Sequence, residues 1–520
     1  MKLIKGCLIL QTACLFLLIS VDKAMQDYQI TTQKQVSFCD IQITQQLQQQ
    51  NIDYECNNNK IVMQNKPQIE FGLNLIDFQI TSQLVIENVN QVKLNNLYLC
   101  NLKMDKEFFD AFISMRNINN LQIQNFTAEF NKKNEALLNL MSISQIQKTE
   151  IGQFLVYSEQ EGLNNHYQFI INSENLFLRQ VLFQNIYALS LNFYGTNLLD
   201  IDQLNIIQNS QYEKQSVFLG YSFCYYSSQN NINISTINIE TNSVNQKESE
   251  YQLWFASIKI ENNEFQQSSQ INIDQITFKS QDVNFQSFGI VQFETEKIYY
   301  HLQLEIQKIQ NVEIGSLVFE GFGNQRQNSY NNNIFFKLQN ILNMNIMDII
   351  FRKNNQVMGT LFDGAVYQLK IFNLEVQPFN NFTTCLINLQ NSYYVSIGSL
   401  KIQDEVEFNN YLFAFNNLKI LIFNNFDINK IYFKQQSLLY IYQVQGFTVS
   451  DFQLKDIKTS NQQNDIFYIN TANLQHPIKF LNIKQNRRGN VISSILISKK
   501  LILTRELICN YLLNLVLIIE

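Results

Sequence analysis

Few residues of this 520-residue chain have the types and spacing that catalysis requires. The three histidines, His166, His301 and His476, are far apart in sequence and share no metal-ligand spacing. The acidic segment 404–407 has Lys401 nearby but not the clustered Arg or Lys residues of a polysaccharide-cleaving site. No phosphate-binding loop, His-Glu-x-x-His or EF-hand pattern occurs. We therefore expect a non-enzymatic protein with no catalytic, cofactor-binding or metal residues.

Six of the eight cysteines lie outside the N-terminal apolar run that contains Cys7 and Cys14. Cys39 and Cys56 are close in sequence, and a disulfide between them would staple an N-terminal cap at a gain of roughly a few kcal/mol. The other four are isolated, with apolar neighbours, and we expect them to be small buried hydrophobic residues. Because no Cys-x-x-Cys occurs, zinc and thioredoxin-type chemistry have no support.

Three Asn-x-Ser/Thr sequons, at Asn125, Asn233 and Asn381, are possible N-glycosylation sites. They become acceptors only if the chain is secreted and the asparagine is exposed. All three therefore depend on the interpretation of the N-terminus.

The N-terminus has the pattern of a secretory signal. Lys2 and Lys5 precede an apolar run over 7–21, which is shorter than a membrane-spanning helix needs. Ala24 suits a cleavage site whereas Asp22 does not, so a signal anchor is the alternative. We expect a signal peptide over 1–24 and a protein of the secretory pathway, extracellular or on the cell surface.

Composition excludes some partners and indicates how the chain turns. The net charge of −6 is spread without a basic stripe, which argues against nucleic-acid binding. Asn and Gln make up about a quarter of the chain, whereas Gly (15) and Pro (3) are scarce. Because Asn tolerates the left-handed region, we expect Asn to make the turns.

The elements that would position any site come from a repeated frame, Φ-x-Φ-x-x-Φ-x-Φ, where Φ is apolar and x is mostly polar. Alternation of this kind is typical of a strand with one buried face. The last starts, at 344, 369, 395, 421 and 447, are 25 to 26 residues apart. The frames begin at Val92, Leu121, Leu176, Leu199, Ile232, Ile271, Val312, Met344, Leu369, Val395, Leu421 and Phe447, with a weaker copy at Ile151-Phe154-Val156.

The residue just before the third Φ of each frame is polar or small, and this break in the alternation predicts a corner between two inward-facing strands. A third apolar stretch precedes each late frame, as at 412–415, and several such stretches end in Asn, for example Asn340, Asn391 and Asn416. Three short strands per coil indicate an all-β parallel β-helix of about 13 coils with a period near 26. A leucine-rich-repeat-like solenoid is the alternative, because Φ-x-x-Φ-x-Φ lies inside the frame.

The predicted domain organisation follows from this repeat. We expect a signal peptide over 1–24, an N-terminal cap over 25–85, the solenoid over 86–485 and an apolar tail or cap over 486–520. The segment 507–519 is too short to span a bilayer comfortably, so a capping helix is favoured over membrane association.

The repeat frame resembles the pectin-lyase-like β-helix superfamily. The signal sequence and Asn/Gln-saturated repeats resemble large families of predicted surface and transmembrane proteins of ciliated protozoa. Neither resemblance carries functional residues onto this chain. A regular solenoid without reactive groups predicts a non-enzymatic extracellular or cell-surface scaffold or recognition protein with an unknown protein or glycan ligand, and either terminal apolar segment could associate with a membrane. The alternative is a carbohydrate-active enzyme with its site on the insertions around 240–310.

Overall fold

A computed structural model of the chain describes most of the repeat region. The described residues are 39–57, 59–104, 111–130, 137–158, 166–185, 188–194, 196–208, 220–221, 231–241, 257–261, 270–280, 303–307, 310–320, 334–352, 354, 360–377, 381–382, 385–402, 406–408, 411–433, 438–455, 458–459, 467–470, 478–481, 484–486, 494–496, 501–503 and 516–518. The predicted signal peptide at 1–24 lies outside them.

The described chain contains one helix, α1 (Ile41–Gln49), and strands numbered in chain order. The strands that carry the frames are β5 (Gln83–Cys100), β7 (Ile113–Glu129), β8 (Leu137–Tyr157), β9 (His166–Gln184), β11 (Leu198–Gln208), β13 (Asn231–Thr241), β15 (Gln270–Ser280), β17 (Asn311–Glu320), β18 (Ile334–Arg352), β19 (Thr360–Val376), β22 (Tyr394–Ile402), β25 (Ile420–Asn429) and β28 (Gly446–Lys455), and β3 (Gln68–Ile76) precedes them on the same ladder. The others are β1 (Glu55–Asn57), β2 (Lys60–Gln64), β4 (Gln79–Ile80), β6 (Lys103–Met104), β10 (Ala188–Tyr194), β12 (Gly220–Tyr221), β14 (Ser257–Glu261), β16 (Gln303–Gln307), β20 (Asn381–Phe382), β21 (Ile387–Gln390), β23 (Val406–Phe408), β24 (Phe413–Asn416), β26 (Ile431–Phe433), β27 (Leu439–Tyr442), β29 (Lys458–Thr459), β30 (Phe467–Asn470), β31 (Ile478–Leu481), β32 (Lys484–Asn486), β33 (Ser494–Leu496), β34 (Leu501–Leu503) and β35 (Val516–Ile518).

Successive frames stack in parallel and in register. Ile232 of β13 pairs with Leu199 on one side and with Ile271 on the other, and the ladder continues through Val312 to Met344. Every apolar position therefore lies above its counterpart in the next coil, which buries the Φ side chains in one continuous core. The predicted class, a parallel β-solenoid, is confirmed.

A late coil shows how the chain encloses the core. β22 is bent and carries a whole frame, and the short strand β23 and then β24 follow it. β24 pairs in parallel with β21 and β27, so the second half of the coil is strand rather than helix. This pairing decides against the leucine-rich-repeat alternative. The sequence predicted the strand at 412–415 but not the additional short strand at 406–408.

The predicted number of coils, about thirteen, is higher than the number of turns in the structure. The structure has about nine turns with a period of about 27 residues. All thirteen frames nevertheless lie on one ladder. Between 209 and 333 the frame spacing reaches 41 residues, and most of the intervening chain lies outside the described residues.

Aromatic side chains form columns along the core. Phe319 is fully buried and stacks on Phe278 and Phe351, with ring centroids 4.8 and 4.6 Å apart. All three occupy the last Φ of their frames, so the 4.7–4.9 Å strand spacing sets the ring separation.

The structure also explains why the frame near residue 150 looks weak in the sequence. Its first Φ position is filled by Thr149, which is buried and pairs with Leu121.

Asparagine makes many of the turns, as the composition predicts. Ten of the fifteen described non-glycine residues with positive φ are Asn, among them Asn391 (φ 55°) and Asn417 (φ 56°). Asn391 is one of the predicted turn residues. At the next coil the left-handed residue is Asn417 rather than the predicted Asn416, and Asn340 is not among those with positive φ.

The two ends of the solenoid continue the parallel pairing. β2 and β3, within the predicted cap at 25–85, already pair with β5, and helix α1 lies against β3. Towards the C-terminus the pairing reaches β34 and β35, within the predicted tail at 486–520. The domain boundaries stay predictions. Among the described residues no helix has the length and apolar character to cross a bilayer.

Candidate functional site

A polar groove runs across the corners of four consecutive coils. It encloses about 400 Å³ and opens to solvent. We call it the corner groove. It is lined by Gln124, Asn125, Gly152, Gln153, Arg179, Gln180, Asp202 and Gln203.

The frame places these side chains in a row. Each coil contributes the two residues between its second and third Φ, so the corner residues repeat at every rung. Gln153 pairs with Asn125 on one side and with Gln180 on the other, and Gln180 pairs with Gln203. Buried Φ residues flank each corner and hold the backbone in place, for example Leu178 and Val181 around Gln180. The parallel register of the coils therefore aligns the corner side chains and sets their spacing along the groove.

Hydrogen bonds between coils order the groove side chains. Gln153 Nε2 donates to Gln180 Oε1 at 3.2 Å. Arg179 Nη1 donates to both carboxylate oxygens of Asp202 at 3.3 Å. This ion pair is nearly half exposed, so it contributes little to stability. It leaves the groove without net charge.

Gly152 sets the depth of the groove. A Cβ at this position would lie 2.6 Å from the carbonyl oxygen of Gln124, closer than real Cβ contacts occur. The two coils therefore approach each other closely at this corner, and the lining at this point is backbone. Amide side chains from the neighbouring corners surround it.

An aromatic ring lies beside the groove. Phe177 points outward from β9, and two cations sit over its ring, Lys148 Nζ at 5.3 Å and the Arg179 guanidinium at 6.0 Å from the centroid. The ring is half-buried. Arg179 thus connects the aromatic surface to the Asp202 side of the groove.

This arrangement suits binding rather than bond cleavage. The groove offers amide donors and acceptors and one neutralised ion pair, and no His, Cys, Ser or Tyr is among its lining residues. Such groups recognise uncharged polar ligands through hydrogen bonds.

The structure places the predicted site residues apart from one another. Cys39 and Cys56 form a disulfide at the N-terminal end, with a Cα–Cα distance of 5.8 Å. Asn125 lines the corner groove, whereas the Oδ1 of Asn233 accepts from Asn272 Nδ2 at 2.9 Å in a ladder elsewhere. Asn381 lies in β20. Use of these asparagines as glycosylation sites stays a prediction.

The residues considered for catalysis are not brought together where the structure describes them. His166 lies in β9, and His301 and His476 lie outside the described residues, as do 404 and 405 of the acidic segment. Most of the insertion region 240–310 is likewise outside them. Within the described part of the chain, no group of three His, Cys, Asp or Glu residues could hold a metal ion.

A second polar cluster lies on the outer face of the early coils. The hydroxyls of Tyr98 and Tyr157 both donate to Glu129 Oε2, the latter at 3.0 Å. The bond from Tyr98 to the Glu129 carboxylate, together with partial burial, raises the pKa of the Tyr98 phenol above its ordinary value. This cluster joins three coils.

The sequence analysis missed the corner groove. The corner residues were recognised as the polar break in each frame, but only stacking shows that four of them face one space. A frame considered alone gives no signal of the groove, because its corner residues fit the frame in the same way as those of the other coils.

The function of this chain is inferred from its fold and from the corner groove, because comparisons with known proteins supply no relative. A scan against protein-family models, a search of curated proteins and a search of solved structures each find no match to this chain.

Proposed function

We propose that this chain is a non-enzymatic extracellular or cell-surface scaffold that recognises its partner through the corner groove. The observation that carries the proposal is the row of amide side chains contributed by four stacked coils around an internally neutralised ion pair. Such a surface matches a ligand with many neutral hydrogen-bonding groups. A hydroxyl-rich glycan is the first ligand to test, and a polar protein segment is the second.

The location and ancestry are part of the same proposal. The apolar N-terminus with Lys2 and Lys5 supports entry into the secretory pathway, and the Cys39–Cys56 disulfide is compatible with an oxidising compartment. The resemblances to the pectin-lyase-like superfamily and to protozoan surface proteins are proposals on the same footing.

Binding to an array of neutral and acidic glycans tests the proposal. The groove variant is Gln153→Ala with Gln180→Ala, which removes the inter-coil hydrogen bond and two amides. The matched control is Gln275→Ala, a corner residue of a later coil that bonds within its own strand to Thr277. We expect neutral glycans to bind the wild type and the control, and the groove variant to lose roughly tenfold or more in affinity, since truncating two hydrogen-bonding groups removes about 1–3 kcal/mol.

Two results would contradict the proposal. The first is an absence of binding to the array and to polar peptides by the folded wild type. The second is binding that the groove variant and the control reduce equally, since recognition would then lie elsewhere on the rod.

The alternative function is a carbohydrate-active enzyme with its site on 240–310. The described residues of that region are strands β14, β15 and β16 and part of β13, and none of their contacts favours this alternative. Release of uronates or reducing ends from polysaccharides by the purified chain would establish it over the scaffold.

A further inference from the structure

The corner groove contains one of the three sequons. Asn125 lines the groove and begins the sequon Asn125-Phe126-Thr127. Phe126 is fully buried, whereas its two neighbours in β7 are partly exposed, so the side chains of Asn125 and Thr127 point away from the core. A sugar attached to the amide nitrogen of Asn125 would therefore begin in the groove.

Asn125 lies at one end of the row of corner residues. The lining comes from β7, β8, β9 and β11, which stack in that order, and Asn125 belongs to the first of them. Gln153, Gln180 and Gln203 follow on successive rungs, about 4.8 Å apart. A chain of sugars that starts at Asn125 can therefore extend over the amides of the other three coils.

The groove has room for the innermost sugars of such a chain. Gly152, on the rung next to Asn125, has no side chain, so the lining there is backbone. The amide of Gln153 donates to Gln180 at 3.2 Å, on the side away from Asn125. A volume of about 400 Å³ is near the lower end of small-ligand sites, so the outer sugars of a glycan would lie in solvent.

The other two sequons have different surroundings. The amide of Asn233 takes part in the ladder bond with Asn272, and Asn381 lies in the short strand β20. Neither of them lines the corner groove. Asn125 is therefore the sequon whose glycan would contact the groove.

We propose that Asn125 is N-glycosylated and that the innermost sugars of this glycan occupy the corner groove, which closes the groove to free ligands. The inference rests on the proposed function, because it requires entry into the secretory pathway and a groove that binds neutral glycans. In the modification, Asn125 Nδ2 forms a bond to the anomeric carbon of an oligosaccharide that is linked to a lipid diphosphate. The bond from that carbon to the diphosphate oxygen breaks, one amide proton is released, and the lipid diphosphate leaves.

Tethering explains why even a weak groove would be filled by the attached glycan. A ligand on a short flexible linker has an effective concentration on the order of 1 mM. For a groove with a Kd of about 0.1 mM, the tethered glycan would occupy the groove about nine-tenths of the time and weaken the binding of a free glycan roughly tenfold. The fraction of chains modified at Asn125 therefore sets how much open groove is available.

Glycan-array binding by the full chain from two hosts tests the proposal. Wild type from a eukaryotic secretory host receives N-glycans, whereas wild type from the bacterial periplasm lacks them and can still form its disulfide. Thr127→Val removes the Asn125 sequon without changing a groove residue, and Thr127→Ser keeps the sequon. Ser235→Ala removes the sequon at Asn233 and is the control for a glycan outside the groove.

We expect mass spectrometry to find a glycan on Asn125 of the eukaryotic wild type. The bacterial wild type and the eukaryotic Thr127→Val chain should bind neutral glycans roughly tenfold more tightly than the eukaryotic wild type. Thr127→Ser and Ser235→Ala from the eukaryotic host should bind as weakly as the eukaryotic wild type, because both keep the glycan on Asn125.

Enzymatic release of the Asn125 glycan gives a second measurement that needs no free ligand. A peptide-N-glycosidase converts each released asparagine to aspartate, so mass spectrometry follows every site separately. The groove variant, Gln153→Ala with Gln180→Ala, should release the Asn125 glycan roughly tenfold faster than the native wild type, because the sugars are no longer held in the groove. Gln275→Ala should release it at the wild-type rate, and after denaturation all chains should react alike.

Three outcomes overturn the inference. One is an unmodified Asn125 in the chain from the eukaryotic host. Another is equal glycan binding by the eukaryotic wild type and Thr127→Val, which would leave the proposed function intact. The third is release of the Asn125 glycan at the same rate from the native wild type and the groove variant. An absence of array binding by the bacterial wild type would instead count against the proposed function, and the release rates would still decide whether the attached glycan occupies the groove.

Discussion

The close approach of two coils at Gly152 gives a quantitative test of the stacked corners. In Gly152→Ala the new Cβ would meet the carbonyl oxygen of Gln124 at 2.6 Å, so β8 or β7 must shift by several tenths of an ångström to restore ordinary contact. Overpacking of this kind costs about 1–3 kcal/mol. The lower entropy of the unfolded chain with Ala offsets about 0.4–1 kcal/mol of that. We expect a net loss of about 1 kcal/mol of unfolding free energy.

The same corner position in another coil supplies a graded comparison. A Cβ on Gly398 would lie 2.8 Å from Phe372 O, so Gly398→Ala should destabilise less than Gly152→Ala. Ser235→Ala is the control, because Ser235 is an exposed corner residue that already has a Cβ.

Urea denaturation followed by hydrogen exchange of peptides from β7 and β8 measures the effect. The urea midpoint should fall for Gly152→Ala and the exchange of both strands should increase, with no change for Ser235→Ala. If Gly152→Ala were as stable as the wild type or more stable, the coils would not be in close contact at this corner and the reasoning would be refuted.

Three other perturbations test the core, the cap and a buried thiol. Phe319→Ala removes the middle ring of the buried stack and should cost about 3–5 kcal/mol in urea unfolding, and a loss below about 1 kcal/mol would contradict the column of rings. Cys39→Ser with Cys56→Ser opens a 17-residue loop and should lower the thermal stability of the N-terminal coils by the equivalent of about 3 kcal/mol in calorimetry, whereas an unchanged profile would show that the disulfide does not constrain the cap. Burial raises the pKa of the Cys385 thiol to about 12, so iodoacetamide at pH 8 should label it only after denaturation, and complete labelling of the folded protein would contradict its burial.

The repeated frame allowed the class of fold to be predicted from the sequence. Apolar residues at fixed positions, such as Leu176, Leu178, Val181 and Phe183, define an inward face, and all four are buried. Recurrence of that face every 25 to 26 residues over the late frames indicated stacking, because one coil cannot bury its apolar side alone. Local alternation and long-range repetition point to the same structure, which is why the class of fold could be predicted.

Helix α1 shows where the pattern was insufficient. Ile41 and Ile43 alternate like a strand, and the segment was expected only to cap one end. The structure instead buries Ile43 and Leu47, which are four residues apart, and caps the helix with Asp40. Tertiary contact with the open end of β3 decides between the two periodicities, and that contact is not visible in a window of ten residues.

The corner groove illustrates a different limit. Polar residues at Gln153 and Gln180 satisfy the frame in the same way as any other corner residue, so their types carry no local signal. Gln153 and Gln180 face the same groove because β8 and β9 pair in register and because two coils approach closely at Gly152. Those relations connect residues about 27 positions apart and become apparent only in three dimensions.

The central claim is that the frames stack one per layer and align their corners in a single row. Spin labels at positions 124 and 372 test it directly, because both are exposed corner residues, 248 residues apart in sequence and eight rungs apart on the ladder. Pulsed dipolar spectroscopy should be carried out with Cys224 and Cys509 replaced by Ser. At about 4.8 Å per rung the account predicts a narrow distance distribution near 38 Å. A broad distribution, or a distance well outside the range that the label linkers allow around that value, would contradict the stacked row.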